Sequence, residues 1–297
     1  MIKGENKIMD WKELTINDKE VIDEYTKGRF TTCDLNFSNQ VLWSEGENTK
    51  FRIVDDVLIL KGTYMDKDYY YMPIPKSESE VNLKSWKEVI KGILNEGGQI
   101  VFVPEYWKNL LEKDFVLEER RDSFDYVYNG FDLAYLKGRK YSKKKNRINN
   151  FRKSYIYEYE KLNDDNVKDV VDFQNHWYHD NGSLEVLTNE HLGILNLLKN
   201  YKYLGIKGGL IKVDGKIVAY TLGEQLTEDY AIIHIEKALN DYTGSYQMIN
   251  QLFIQNEFEN LKYINREDDF GDEGLREAKE SYHPEFLLKK YEITGVR

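Results

Sequence analysis

The chain has very little cysteine and no long hydrophobic run, and each shortage excludes a class of protein. Cys33 is the only cysteine among 297 residues, so an internal disulfide or a cysteine metal cluster is excluded. No stretch approaches the ~20 apolar residues that a membrane helix needs. The N-terminal segment, MIKGENKIMDWKEL, contains no apolar run of the kind found in secretory signals. The sequence therefore predicts a cytoplasmic protein without a transmembrane segment.

The chain also lacks an overall positive charge. Its formal net charge of −10 excludes a surface that is basic throughout, as a general nucleic-acid platform would require. A local basic patch stays compatible with this balance. Hydrophobic residues make up 41% and charged residues 32%, which is typical of a globular protein. The length suits one large domain or two of about 150 residues each.

The order of predicted elements repeats in the two halves of the chain. Helical periodicity begins each half with two helices, near 14–25 and 34–44 and again near 162–177 and 188–200. Three strands, a helix, a strand, a helix and a final strand follow. In the first half these elements are expected at 51–60 (a hairpin), 68–74, 82–96, 99–103, 104–113 and 115–128. In the second half they are expected at 210–220 (a hairpin), 229–238, 245–260, 262–266, 272–282 and 285–293.

This repeat predicts two domains of one architecture, at 1–135 and 136–297. The order resembles the fold of the GNAT acyltransferases, in which a mixed sheet flanked by helices splays open to admit an acyl-thioester cofactor. We therefore predict an α/β (α+β) fold of two tandem GNAT-like domains. Chance repetition of common α/β elements is the alternative, because the two halves share little sequence identity.

A basic segment connects the two halves. Residues 137–153 read KGRKYSKKKNRINNFRK and contain no acidic residue. Tyr141, Ile148, Phe151 and Tyr155 recur at helical spacing, which predicts one buried face with cations on the others. Two interpretations fit: a site for phosphates or an RNA acceptor end, or a solvated helix whose charges balance acidic surfaces. The candidate phosphate-binding residues are Lys140, Lys143, Lys144, Lys145 and Arg147.

A glycine turn precedes a predicted helix in the second half. The segment there reads ALNDYTGSYQMIN, and the corresponding MPIPKSESEVN of the first half contains no glycine. Glycine permits a positive φ and a close approach of the backbone to a ligand. The turn predicts a site for a cofactor phosphate at the helix N-terminus, and simple capping of the helix by Ser245 is the alternative. The candidate cofactor-binding residues here are Tyr242, Thr243, Gly244 and Ser245.

The strand before this turn carries a candidate general base. Two-residue alternation predicts that Tyr230, Ile232, His234 and Glu236 share one face. Acyl transfer to an amine needs a base within reach of the attacking nitrogen. Glu236, near the end of the strand, is the better candidate, whereas His234 fits a hydrogen-bonded core residue.

A dense polar run follows the next strand. In open α/β sheets, ligands bind beyond the carboxyl ends of the strands. Asn265 and Arg266 could orient a carbonyl or a phosphate, and Glu267 or Asp272 could receive a proton. The alternative for Asp272 is capping of the helix that begins near it.

The histidines do not form a recognisable metal motif. His176, His179 and Asp180 share a helix face and His191 follows, but no HExxH pattern or cysteine partner accompanies them. We therefore predict no metal cofactor.

Four segments carry a resemblance to a known family: LKGRKYSKKKNRINNF, GGLIKVDGKIVAYTLGE, HIEKALNDYTGSYQMINQ and YINREDDFGDEGLREAKESYHPEFLLKKY. Together they resemble a domain family of uncharacterised function that is related to the catalytic C-terminal region of phosphatidylglycerol lysyltransferases. The resemblance runs from about Asp34 to Tyr291 and is densest over 132–291. Those enzymes are tandem GNAT-like proteins that move an aminoacyl group from an aminoacyl-tRNA to a membrane lipid, and the Fem-type aminoacyltransferases are similar.

The resemblance implies roles for several residues. The helix at Lys140–Lys145 would contact the acceptor end of tRNA, and the region of Gly244 with the loop Asn265–Glu273 would form the transfer site. Binding is also implied for Lys289, Lys290 and Tyr291. The lysyltransferases carry a membrane segment that this sequence lacks, so the acceptor could be a small molecule, a peptide or a lipid headgroup.

The predicted function is thus transfer of an acyl or aminoacyl group from acyl-CoA or aminoacyl-tRNA to an amine or hydroxyl. Two alternatives stay open: an acetyl-CoA-dependent N-acetyltransferase, and a non-catalytic GNAT pair that binds RNA or serves as a scaffold. The oligomeric state cannot be read from the sequence.

Overall fold

A computed structural model describes residues 10–182 and 184–297 of the chain. The α-helices are α1 (Lys19–Thr26), α2 (Phe37–Ser44), α3 (Glu80–Asn95), α4 (Lys108–Leu111), α5 (Gly130–Tyr135), α6 (Ser142–Ser154), α7 (Val167–Asn181), α8 (Glu185–Leu204), α9 (Ser245–Glu257) and α10 (Glu273–Glu280). The strands are β1 (Lys12–Glu13), β2 (Lys50–Val54), β3 (Val57–Tyr64), β4 (Lys67–Tyr71), β5 (Ile74–Pro75), β6 (Ile100–Pro104), β7 (Phe115–Glu119), β8 (Asp125–Asn129), β9 (Tyr157–Lys161), β10 (Lys207–Val213), β11 (Lys216–Gln225), β12 (Tyr230–Ala238), β13 (Tyr263–Asn265), β14 (Phe286–Leu288) and β15 (Lys290–Val296).

Both predicted hairpins form around turns with a left-handed backbone. Asp55 and Asp56, with φ of 49° and 58°, connect β2 to β3, and Asp214 and Gly215, with φ of 49° and 75°, connect β10 to β11. Aspartate and glycine tolerate this conformation better than most residues. The local turn chemistry therefore sets the register of each hairpin.

The chain divides into two compact units. Unit 1 contains the described residues up to Phe124 together with Leu288–Arg297, and unit 2 contains Asp125–Leu287. The sheet of unit 1 has the strand order β1-β2-β3-β4-β6-β15-β7, with β5 paired to β3. The sheet of unit 2 has the order β14-β8-β13-β12-β11-β10-β9. Each sheet is mixed, because β4 and β6 run parallel in the first and β12 and β13 in the second. The predicted class, two tandem mixed sheets with helices, is confirmed.

Each sheet contains one strand from the opposite half of the sequence. β8 ends the first half in sequence but lies between β13 and β14 in unit 2. β15 ends the second half but lies between β6 and β7 in unit 1. The two halves therefore exchange their last strands reciprocally, and each exchanged strand occupies an interior position of its sheet.

This exchange corrects two of the predicted strands. The strand expected at 115–128 is β7 and β8, separated by a 3₁₀ turn at Arg121–Ser123. The strand expected at 285–293 is β14 and β15, which belong to different sheets. The compact units consequently differ from the predicted domains of 1–135 and 136–297, because strand pairing rather than chain order decides where β8 and β15 lie.

The basic helix packs into the core of unit 2 as predicted. Tyr141, Ile148 and Phe151 are buried, and Tyr155 packs against them at the core edge. Their partners include Phe253 on α9. Burial of one such aromatic or aliphatic side chain contributes about 1.5–3 kcal/mol, so this face anchors α6 against α9.

Candidate functional site

The exposed side of α6 carries cations that lack ionic partners. Lys140, just before the helix, is paired with Asp132 at 3.0 Å. Among the residues that the structure describes, the next four cations form no ion pair; they are Lys143, Lys144, Lys145 and Arg147. A helix that served only to balance acidic surfaces would place carboxylates beside these charges. The arrangement favours the anion-binding interpretation.

The glycine turn is shaped by α6. Gly244 has a φ of 97° and occupies the N-cap position of α9. A Cβ at this position would lie 2.5 Å from the carbonyl oxygen of Arg147, so the backbone of α6 takes the space that only glycine leaves. Ser245 is therefore the first helical residue rather than the cap, and its hydroxyl donates to the carbonyl of Leu239. Nearby, Tyr242 packs on Tyr155 with ring centroids 5.1 Å apart, and Thr243 is exposed.

Replacing Gly244 with alanine is expected to destabilise the protein by about 2–5 kcal/mol, because a left-handed backbone costs a non-glycine residue ~1–2 kcal/mol and overpacking adds ~1–3 kcal/mol. Gly215→Ala is the matched control, since Gly215 also has a positive φ but its Cβ would meet nothing within 4 Å. Urea unfolding of both variants measures the difference. Equal losses would contradict the proposed contact with α6.

A bulge in β12 changes which side chains share a face. Ile233 pairs with Gly223 and Ile235 with Leu222, so His234 is an extra residue in the ladder. After this bulge, the alternation of side chains between the two faces of the sheet is shifted by one residue. Glu236 therefore lies on the face opposite to Ile232. The predicted common face of Tyr230, Ile232, His234 and Glu236 is wrong, because the alternation assumed an unbroken strand.

Glu236 faces the α9 side of the sheet and is held by Arg266. Arg266 donates to Glu236 Oε2 from Nε at 3.0 Å and from Nη2 at 2.7 Å. Asn250 of α9 donates to the same oxygen at 3.3 Å. Within the described residues, neither Glu236 Oε1 nor Arg266 Nη1 has a hydrogen-bond partner, although both atoms are buried. Buried polar atoms are rarely left without a partner, so this acceptor and this donor are candidates for contact with a ligand.

Two tyrosines and a lysine complete the cluster. The Arg266 guanidinium lies 4.7 Å from the ring centre of Tyr282 and 5.6 Å from that of Tyr128. Lys144 Nζ lies 4.0 Å from the Tyr282 ring centre. Burial, the charge of Arg266 and that of Arg147 lower the pKa of Lys144 to about 8. Burial raises the pKa of Tyr282 to about 12, although the positive charge of Arg266 acts to lower it.

These residues form what we call the polar cluster: Glu236, Arg266, Asn250, Tyr128, Tyr282 and Lys144. Three cations converge here, since Arg147 acts on Lys144 from the same helix, and one carboxylate accompanies them. The excess of positive charge in a partly buried setting suits an anionic group of a ligand.

The other carboxylates of the polar run have structural partners. Glu267 accepts a hydrogen bond from His234 Nδ1 at 2.7 Å, and His234 Nε2 lies 3.1 Å from Glu224. Burial alone would lower the pKa of His234, but its hydrogen bonds to the two carboxylates outweigh this and raise the pKa to about 9. Asp272 caps α10 by accepting from the backbone of Leu275 at 2.7 Å, as the capping alternative described.

Further contacts fix the backbone that carries Arg266. Asn265 is buried, donates to Asp125 at 2.8 Å and accepts from the backbone of Glu267 at 2.7 Å. Lys279 donates to the carbonyl of Arg266 at 2.6 Å. Asp269 accepts hydrogen bonds from both Arg276 and Tyr126. Burial alone would raise the pKa of Asp269, but these contacts hold that pKa well below its usual range. The loop is thus rigidly held, and Asn265 positions it from the interior.

The three residues near the C-terminus for which the resemblance implied binding belong to unit 1. Lys289 pairs with Glu119 at 2.9 Å, and Tyr291 donates to the same carboxylate at 3.3 Å. Lys290 is buried and pairs with Asp34. The polar cluster belongs to unit 2, so the structure does not gather these three residues with it in one unit.

Two histidines on α7, His176 and His179, share the partner Asp180, and His191 on α8 has partners of its own. His176 pairs with Asp180 at 3.4 Å on the helix surface. His191 hydrogen-bonds Gln174 at 3.1 Å and stacks on Tyr178 with ring centroids 4.2 Å apart. The absence of a metal cofactor stays a prediction.

Sequence reasoning missed Tyr128, Asn250 and Tyr282. Tyr128 lies on the exchanged strand β8 and so reaches unit 2 from the first half. Tyr282 lies just beyond α10 in the segment SYHPEFLLKKY, for which the resemblance implied a role for the last three residues alone.

The comparisons begin with a family match over nearly the whole chain. Residues 27–294 match the family described as phosphatidylglycerol lysyltransferase, C-terminal. No helix among the described residues is long and apolar enough to cross a membrane.

Solved structures share the fold. A conserved protein of unknown function from Bacteroides thetaiotaomicron VPI-5482 is 33% identical, with a TM-score of 0.84 over 97% of this chain and 99% of that one. The structure of L-PGS from Bacillus licheniformis is 13% identical, with a TM-score of 0.62 over 95% of this chain and 92% of that one. The tandem fold predicted from the element order is confirmed by these likenesses.

A curated relative is the uncharacterized protein MYCGA3080 from Mycoplasmoides gallisepticum (strain R(low / passage 15 / clone 2)). It is 27% identical over 185 residues, which are 59% of this chain. The match spans 57% of that protein's length.

Proposed function

Because the chain belongs to the phosphatidylglycerol lysyltransferase C-terminal family, we propose that it is an aminoacyltransferase. It takes an aminoacyl group from an aminoacyl-tRNA and transfers it to an amine or hydroxyl acceptor. One observation carries the proposal: Glu236 has one oxygen fixed by Arg266 and Asn250 and a second, buried oxygen that hydrogen-bonds to no residue that the structure describes. A carboxylate positioned in this way suits a general base.

The polar cluster can assist each part of the transfer. The acceptor nitrogen or oxygen attacks the ester carbonyl and gives its proton to Glu236 Oε1. Arg266 Nη1 donates to the carbonyl oxygen as negative charge develops on it. The bond from the carbonyl carbon to the ribose oxygen then breaks, and that oxygen takes the proton that Glu236 received and leaves as the tRNA 3′ or 2′ hydroxyl. Glu267 and Asp272 are outside this scheme because His234 and the α10 backbone occupy them.

The basic helix supplies the contact with the nucleic acid. Lys143, Lys145 and Arg147 are cations on α6 without described ionic partners, and Lys144 of the same helix touches the polar cluster. A phosphate backbone that follows α6 would bring its 3′ end toward Glu236. At the glycine turn, the carbonyl of Arg147 lies against Gly244 where a side chain would otherwise stand.

The double substitution Lys143→Gln with Lys145→Gln is expected to weaken tRNA binding and to lower the salt slope of log Kd by about 2, since each phosphate contact contributes about 1. Lys168→Gln with Lys216→Gln is the matched control, because it removes the same charge from exposed positions elsewhere in unit 2. Fluorescence anisotropy with labelled tRNA measures Kd at salt concentrations from about 50 to about 200 mM. Equal slopes in the two double variants would count against α6 as the contact.

A transfer assay tests the function itself. The protein is incubated with tRNA charged with radioactive amino acids, in the presence of phosphatidylglycerol vesicles, free amines or neither. Label that moves from tRNA to an acceptor supports the proposal, and titration with acetyl-CoA runs in parallel. Tight acetyl-CoA binding, with no binding of aminoacyl-tRNA, would replace the proposal by the acetyltransferase alternative. RNA binding without any transfer would favour the non-catalytic one.

A further inference from the structure

One lysine of the polar cluster differs from its neighbours in its surroundings. Lys144 is half-buried, makes no ion pair with any described residue, and places Nζ 4.0 Å from the centre of the Tyr282 ring. The charged groups around it come from two directions: Arg266 from the loop after β13, and Arg147 from α6 itself. The nearest carboxylate of the cluster, Glu236, already serves Arg266.

This setting destabilises the charged form of the amine. Removal from water disfavours an ammonium ion, and two neighbouring guanidinium groups repel it. A contact with a tyrosine face offsets only a small part of this cost. Lysines that are desolvated or placed beside another cation are the ones that act as nucleophiles in proteins.

We propose that Lys144 is a self-acylation site, whose ε-amine takes acyl groups from activated esters and thioesters. The Nζ lone pair attacks the carbonyl carbon, and a carbon–nitrogen bond forms. The bond from that carbon to the ester oxygen or thioester sulfur breaks, and the proton lost from nitrogen goes to the leaving alkoxide or thiolate. The product is an amide and a free alcohol or thiol, so no further reactant is needed.

The modification would change the site that carries it. The amide is neutral, so acylated Lys144 no longer contributes positive charge to the polar cluster. The protein would then bind polyanions less tightly. The inference does not depend on transferase activity, because a small reagent can supply the acyl group.

The lowered pKa of Lys144 gives the expected ratio of its acylation rate to that of other lysines. At pH 7.5 an amine with a pKa of about 8 is roughly one quarter free base, against about one part in a thousand for an ordinary lysine with a pKa of ~10.4. A less basic amine is also a weaker nucleophile. For thiols, this weakening cancels about half of the gain in the logarithm of the rate that the larger free-base fraction brings. Lys144 is therefore expected to react about tenfold faster than other accessible lysines.

The experiment treats the full-length protein with limiting N-hydroxysuccinimidyl acetate at several pH values, and with acetyl-CoA in a second arm. Peptide mass spectrometry compares Lys144 with Lys143 and Lys145 on the same helix. The expected result is about tenfold faster acetylation of Lys144 at pH 7.5, with a rate that levels off above about pH 8 rather than rising tenfold per unit. Arg147→Gln should slow Lys144 several-fold at pH 7.5, and Lys143→Gln should not.

Two results would overturn the inference. One is a rate at Lys144 that does not exceed those of Lys143 and Lys145. The other is a rate that continues to rise through pH 9 as for an ordinary lysine. Either result would leave the aminoacyl-tRNA transfer assay unaffected, so a failure of this inference is distinguishable from a failure of the proposed function.

Discussion

The Glu236→Gln variant is expected to lose about 10²–10⁴-fold in the rate of aminoacyl transfer, the range that a positioned general base contributes. Glutamine keeps the size of the side chain and can still accept from Arg266, but its amide cannot take up the proton of the acceptor. Binding of aminoacyl-tRNA should change much less, because the contacts with the nucleic acid come from α6. Single-turnover transfer and Kd measured on the same preparation separate the two effects.

The variant also leaves Arg266 without a charged partner, so a control for stability is needed. Glu190→Gln breaks a comparable ion pair in unit 2, between Glu190 and Lys237 at 2.6 Å, in which both side chains are largely buried. Asp272→Asn keeps the helix cap and removes a carboxylate that the scheme does not use. Both controls should retain transfer. If Glu236→Gln keeps activity close to that of the controls at a temperature where all are folded, the base lies elsewhere.

Cutting the chain between residues 135 and 136 is expected to abolish independent folding of both halves. The fragment 136–297 would contain β13 and β14 without β8 between them, and the fragment 1–135 would contain β6 and β7 without β15 between them. An interior strand supplies hydrogen bonds on both of its edges, so its loss leaves two open edges and an incomplete core. Circular dichroism and urea unfolding should show no cooperative transition for either fragment.

A fragment of nearly equal length provides the contrast. Residues 125–288 contain each strand from β8 to β14 that builds the sheet of unit 2. This fragment is expected to unfold cooperatively, whereas 136–297 is not. Co-expression of 1–135 with 136–297 should restore a folded complex, because the strands can still be exchanged between separate chains. Cooperative folding of 136–297 alone would refute the importance of the exchange.

Local features of the fold were predictable from sequence. The hairpin turns at Asp55-Asp56 and Asp214-Gly215 depend on residues adjacent in the chain. The buried face of α6 depends on helical periodicity over a few turns, and Ile148 and Phe151 lie where that period placed them. The order of the elements depends on such local signals, so it could be read along the chain.

Non-local pairing was not predictable in the same way. The segment 115–128 has strand-like residues on both sides of a polar stretch, EERRDS, and nothing in that pattern states that β7 and β8 pair with different sheets. The bulge at His234 adds one residue to a ladder whose partner strand must be known first. The position of Glu236 at the end of its strand could be predicted from the sequence. Its pairing with Arg266, which lies thirty residues away in the sequence, could only be seen in the structure.

The exchange of strands has a consequence for how the protein is made. β15 contains residues 290–296, so unit 1 cannot complete its sheet until the whole of unit 2 has been synthesised. At a synthesis rate of ~5–20 residues per second, β6 and β7 would wait on the order of 10–35 seconds for the strand that separates them. During that interval their unpaired edges face other nascent chains and chaperones. Codon usage and translation speed over the second half of the message should therefore influence the yield of the first unit.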